Sequence, residues 1–216
     1  MSENELIKLD GLEVDKYSDD DFDAAQSSAQ YFPRVQLLTS NSAACKSGDF
    51  PTNHYALVND SNNQDLGKSV DVAVITWRPK ALETGDQVIS SYEPSSDEFQ
   101  RIQGKSFESN SGCMFGPEFL VWIPQAKKFA TFFMGTKSSR REAPNVKARL
   151  KNAATLSSRK IETKQYTWFA PACTACTTPL EVPGKEELIA AIEQFNNPPK
   201  PTLEGVDDKA DGERAR

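Results

Sequence analysis

The chain has 216 residues, 38% of them hydrophobic, and a formal net charge of -6. That suits one domain of about 165 residues with polar ends. No apolar run approaches the ~18–20 residues of a membrane span. The acidic N-terminus lacks the apolar segment of a secretory signal, so the expected location is the cytoplasm, with Cys45, Cys113, Cys173 and Cys176 as thiols.

The charge is segregated along the chain. Residues 1–26 carry nine acidic residues against two lysines, whereas residues 127–164 carry eleven Lys/Arg against two Glu. A basic middle flanked by polar arms is the pattern of a regulated nucleic-acid binder, and also of an ordinary solvated surface.

In chain order, residues 1–28 are expected to be a disordered acidic arm. Phe32 to Thr39 and Tyr55 to Val58 read as strands, the second followed by the turn-forming Asn59 to Asn63. Val70 to Trp77 is the strongest strand. Its alternation places Val70, Val72, Val74 and Thr76 on one face and Asp71, Ala73, Ile75 and Trp77 on the other, with Pro79 as its stop. Gln87 to Tyr92 is a short strand. Ser96 caps a helix running to Gln103. Glu118–Ile123 and Lys128–Met134 form a hairpin around Pro124–Lys127. Lys137, Arg140 and Arg141 fall in a Ser-rich loop. Pro144 opens a helix to Leu156, with Val146, Leu150, Ala153 and Ala154 as its stripe. Ile161 to Ala170 is a strand with Tyr166 and Trp168 on one face, and Lys185 to Phe195 is an amphipathic helix.

Strands cluster rather than alternate with helices, so the fold class is β-rich α+β. The expected architecture is a partly open, OB-like Greek-key barrel with a helix before the last strand and a C-terminal helix; a β-sandwich is the alternative. The division is a disordered arm (1–28), an OB-like nucleic-acid-binding domain (29–182), a C-terminal helix (183–198) and a disordered polar tail (199–216).

Single-strand binding needs cations to follow phosphates and flat rings for bases. The candidates are Trp77, Arg78 and Lys80 at the end of the strongest strand, Lys127 and Lys128 at the hairpin turn, and Lys137, Arg140 and Arg141 in the loop. Lys147 and Lys151 on the helix, and Lys164 and Tyr166 near the last strand, complete the set. Phe129, Phe133 and Trp168 read equally as core. The acidic arm can fold back on the basic surface and compete with nucleic acid there.

Other chemistry is thinly represented. His54 is the only histidine, so few triads are open. Asp71, Glu118 and Glu162-Thr-Lys164 are the raw material of a Mg-dependent nuclease. Cys173-Thr-Ala-Cys176 is half of a zinc knuckle, which Cys45, Cys113 or His54 would have to complete. Neither a P-loop nor a dinucleotide fingerprint is present.

Gly112-Cys-Met-Phe-Gly-Pro-Glu-Phe-Leu-Val-Trp-Ile-Pro124, the stretch from Phe129 to Leu150, and Val70 to Leu82 together resemble a type found in tailed bacteriophages. The functional class they resemble is the divergent OB-fold single-stranded DNA-binding proteins of phage replication and recombination. The resemblance implies no catalysis, no cofactor, single strands bound without base specificity, replication or recombination proteins as possible partners, no membrane, and the host cytoplasm as location. The alternative from another class is a phage structural or interaction protein without nucleic-acid affinity.

Overall fold

The computed structural model describes residues 32–198, apart from 41, 60–62, 86–87, 109 and 164–165. The arm at 1–28, the tail at 199–216 and Lys164 therefore lie outside the described residues. The elements are β1 (Arg34–Leu37), α1 (Ala43–Lys46), β2 (Tyr55–Val58), β3 (Gln64–Gly67), β4 (Val70–Glu83), β5 (Ile89–Ser91) and α2 (Asp97–Lys105). They continue with β6 (Cys113–Ile123), β7 (Lys128–Phe133), α3 (Lys137–Lys147), β8 (Asn152–Glu162), β9 (Thr167–Ala175) and α4 (Lys185–Asn196). All nine strands join one sheet in the order β3-β2-β1-β7-β6-β4-β8-β9, and β5 pairs with the end of β4. The sheet is strongly curled into an open half-barrel, with one helix before its last strands and another at its C-terminal end. The β-rich α+β class expected from the sequence is what the chain forms.

Curling brings together strands that are not neighbours. Tyr55 on β2 is fully buried, and its hydroxyl donates to the Ser157 carbonyl on β8 at 2.7 Å, although β1, β7, β6 and β4 lie between those strands. Ser158 Oγ donates to Asn53 Oδ1 beside it. The inside of the curl holds the main core: Val35, Leu57, Val70, Val72, Val74, Phe119, Val121, Ile123, Phe132 and Leu156, with Val146 from α3. On the outside, Ala73, Ile75, Leu120 and Trp122 receive Leu188, Ala191, Ile192 and Phe195 of α4. A third cluster, Ala81, Phe99, Ile102 and Cys113, seats α2. Ser96 caps α2 as its sequence suggests, accepting from the Phe99 amide at 3.2 Å.

Strand β4 departs from simple alternation. Its register against β6 runs Val74↔Val121 and then Thr76↔Leu120, so Ile75 is an extra residue in a bulge. A one-residue slip exchanges the faces. Before the bulge Val70, Val72 and Val74 point inward. After it Trp77 packs against the inner core, opposite Phe119, and Arg78 stands outside, opposite Glu118. Sequence alternation had placed Trp77 with Ala73 and Ile75. Pro79 does not stop the strand either, because it stands opposite Pro117. Neither proline has an N–H to exchange, so the pair fits a non-hydrogen-bonded register position without losing a ladder bond.

Two further expectations are corrected. The helix expected at 144–156 instead spans Lys137–Lys147, with Pro144 inside it. Thr136 starts it early by accepting from the Ser139 amide at 3.2 Å. It stops before Lys151, whose φ of 63° turns the chain and whose amide donates to the Val74 carbonyl at 2.7 Å. Ala153 and Ala154 then enter β8, opposite Ala73 and Val72. Two alanines are a weak helical stripe and an easy fit in a crowded sheet. The strand expected at 161–170 is the tip of a longer hairpin, β8 to β9, in which the Thr163 amide donates to the Tyr166 carbonyl at 2.8 Å.

Gly116 sits where β6 passes the end of β7. A Cβ there would lie 2.2 Å from the Met134 carbonyl oxygen and 3.0 Å from its carbon. Backbone cannot yield as a side-chain tip does. Gly116→Ala is therefore expected to cost about 1–3 kcal/mol, read as a lower denaturant midpoint at unchanged slope.

Candidate nucleic-acid interface

In the Trp77-Arg78-Pro79-Lys80 segment the two cations face a buried carboxylate. Past the bulge, Arg78 and Lys80 stand on the outer face around Glu118, which is 1% exposed. Arg78 Nη2 reaches Glu118 Oε2 at 2.7 Å and Lys80 Nζ reaches Oε1 at 2.6 Å. The Arg78 guanidinium lies between two rings, 3.8 Å from the Tyr92 centroid and 4.1 Å from that of Phe195. It also donates to the Phe195 carbonyl near the end of α4. Lys80 lies 5.3 Å from the Phe133 centroid. These two cations tie α4 and Tyr92 to the sheet, and their charge is directed at a carboxylate rather than at solvent. Trp77 is half-buried, with Lys147 Nζ 3.6 Å above its ring.

The expected loop at 137–141 is the start of α3. Lys137 and Arg141 are exposed and one turn apart. Arg140 between them turns inward. Its Nη1 donates to the Phe115 carbonyl at 3.0 Å and to the Gly135 carbonyl, and its guanidinium covers the Phe115 ring at 4.3 Å. Burial lowers its pKa. Arg140 is thus a structural tie and not a free loop charge. Lys127 and Lys128 are exposed at the β6–β7 turn. The six-residue β7 separates them from α3 by about 17 Å at strand rise. Lys147 and Lys151, both exposed, lie where α3 ends and β8 begins. The basic segment is therefore spread over several places.

The β8–β9 hairpin is the feature that sequence reasoning missed. β8 has β4 beside it only as far as Leu156, opposite Val70. The β8–β9 ladder continues from Ser157↔Ala172 to Glu162↔Thr167 without that neighbour. The result is a two-stranded arm. Tyr166 is 71% exposed and Trp168 37% exposed, and Ile161 stands opposite Trp168. Arg159 and Lys160 are exposed on the same arm. Lys160 pairs with Glu162, and Arg159 Nη2 is 4.0 Å from Glu142 on α3. Glu142 Oε1 also accepts from the Cys173 amide of β9 at 2.9 Å, so α3 and the arm adjoin. The sequence held one signal for this: the alternation of Tyr166 and Trp168. By contrast Phe132 is core, and Phe129 packs against Trp122 with centroids 5.0 Å apart.

Carboxylates and thiols are dispersed. Asp71 accepts from Thr155. Glu118 lies opposite Arg78, seven residues along β4 in one direction, and Glu162 lies seven residues along β8 in the other. At strand rise each separation is about 23 Å. Cys173 points into the core, where burial, and then Glu142, push its thiol up to about 11. Cys176 lies past the end of β9 and donates to the Thr178 carbonyl at 3.4 Å. His54 Nδ1 is 2.9 Å from Asp65 Oδ2. Among the described residues, no group of three or more His, Cys, Asp or Glu is arranged to hold a metal. Among them, too, no helix is long and apolar enough to cross a membrane.

No family model matches this chain, and no curated protein or solved structure matches it either.

Glu118→Gln is expected to leave Arg78 and Lys80 half-buried without their carboxylate. The loss of stability should be about 3–5 kcal/mol, the cost of breaking a buried pair from one side. Replacing the exposed Lys137 or Arg141 by Ala should change stability by no more than about 0.5 kcal/mol. Thermal and chemical unfolding of the three variants measures the contrast.

Proposed function

We propose that this protein binds single-stranded DNA without base specificity, as a non-catalytic protein of phage-type replication or recombination. The observation that carries the reading is the pair of exposed rings, Tyr166 and Trp168, on an arm that also presents Arg159 and Lys160. Aromatic faces in water are costly to a fold and useful to a base, since every base has a face to stack. Lys137 and Arg141 on the adjoining α3, and Lys147 beside Trp77, extend the cationic surface that would follow the phosphates. Arg78, Lys80 and Arg140 are left out of this interface because their contacts are internal.

A second reading, a protein-interaction role without nucleic-acid affinity, draws on Phe107. This ring is 73% exposed and leans on Phe115 with centroids 5.7 Å apart. The nuclease reading gains nothing from carboxylates so far apart.

A labelled oligodeoxythymidylate, titrated at several salt concentrations, separates these readings. Six phosphate contacts give a slope of log affinity on log salt near -4, at about 0.7 per contact. Trp168→Ala and Tyr166→Ala should each weaken binding by about 1–3 kcal/mol without moving the thermal midpoint. No binding at low salt, or variants that bind as wild type does, would remove the proposal. Mg²⁺-dependent cleavage would replace it with the nuclease.

Removing residues 1–26 takes away nine acidic residues and two lysines. If those charges compete for the basic surface, the truncated chain binds more tightly at low salt. The gain fades near 1 M, where the Debye length is about 3 Å. Paired titrations of full-length and truncated protein give the answer, and equal affinity at low salt rules the competition out.

A further inference from the structure

We propose that Asn53 and Ser158 are positioning residues for strand binding, forming a clasp that fixes the direction in which the β8–β9 arm leaves the sheet. The inference rests on the strand-binding reading above. Beyond Leu156 the arm has no third strand among the described residues. An isolated two-stranded ribbon is marginal in water and twists more than a wider sheet. Rings on such a ribbon would wander unless its base were held. The described contacts that hold the base come from two sides. Glu142 on α3 takes the Cys173 amide and approaches Arg159. Across the curl, Tyr55 takes the Ser157 carbonyl and Asn53 takes the Ser158 hydroxyl.

Asn53 is built for this contact. Its φ is 64°, a region where glycine is the most comfortable residue and asparagine the usual substitute. Asparagine differs from glycine by bringing an acceptor. The backbone around it is fixed: the Asn53 amide donates to the Leu38 carbonyl at 2.9 Å, and the Leu38 amide donates to the His54 carbonyl at 2.7 Å. Oδ1 is therefore presented from a rigid turn to a hydroxyl at the point where β8 loses β4. Neither residue need touch nucleic acid. Their effect runs through the arm to Tyr166 and Trp168.

The test uses the full chain with Ser158→Ala, Asn53→Gly and Asn53→Asp. Each is titrated with the labelled oligodeoxythymidylate at one salt concentration and at several. Amide hydrogen exchange is followed over residues 157–172 and over the rest of the chain. Ser158→Ala and Asn53→Gly should weaken binding roughly three- to tenfold, the span of one net hydrogen bond. The salt slope should be unchanged, and exchange should quicken in the arm alone. Asn53→Asp keeps an acceptor and should keep the wild-type exchange of the arm. Wild-type affinity in both Ser158→Ala and Asn53→Gly overturns the clasp while leaving strand binding intact. So does faster exchange throughout the chain, which marks a merely structural role. A wild-type protein that binds no oligonucleotide overturns the strand-binding reading first, and the clasp as a binding device with it.

Discussion

One extra residue in β4 sets the plan of this molecule. Ile75 has no partner of its own across the ladder to β6, and the strand changes faces there. Before it, valines point into the curl and make the core. After it, an aromatic side chain takes the inner side while Arg78 and Lys80 go outward, where Glu118 waits on β6. Had the alternation run on, the two cations would have turned inward, opposite Pro117 and Phe115, and Trp77 would have stood on the outer side opposite Glu118. The outer helix depends on the same switch, because Arg78 holds Phe195 both through its ring and through its carbonyl. A local irregularity in hydrogen bonding thus decides which side of the sheet carries charge.

That switch also accounts for what sequence reasoning could reach. The hairpin β6–β7, the capped helix α2 and the amphipathic α4 were legible because each declares itself within a dozen residues, by a turn, a cap or a stripe. The β-rich class followed from the clustering of such segments. The bulge was not legible, since Val74-Ile75-Thr76 alternates no less plausibly with or without it. Helix α3 was misplaced because Pro144 is a stronger local signal than Thr136. The decisive facts were tertiary: Arg140 finds two carbonyls, and Ala153 and Ala154 find β4.

The basic segment teaches a related lesson. Eleven cations in 127–164 read as one surface. In the fold they divide by neighbourhood. Arg140 is consumed by carbonyls, Lys147 caps a tryptophan, Lys127 and Lys128 are at a distant turn, and Arg159 and Lys160 ride on the arm. Net charge along a sequence measures how many cations exist, whereas binding depends on which remain turned to solvent side by side. The arm itself was hidden because its length comes from β8 outrunning β4, a property of register rather than composition.

The facing prolines of β4 and β6 have a consequence for the protein's behaviour in a crowd. Between Val74 and Ala81, among the described residues, β4 has no strand on the side away from β6, with β8 ending before that stretch and β5 beginning after it. An unpaired strand of this length is an invitation for a second chain to add itself and for that one to accept another. Pro79 stands in the middle of the stretch with no amide to offer. A foreign strand would find its ladder interrupted there, in a molecule whose long, apolar β4 is otherwise suited to templating. Its proline withholds one of the amides that such a templated ladder would need.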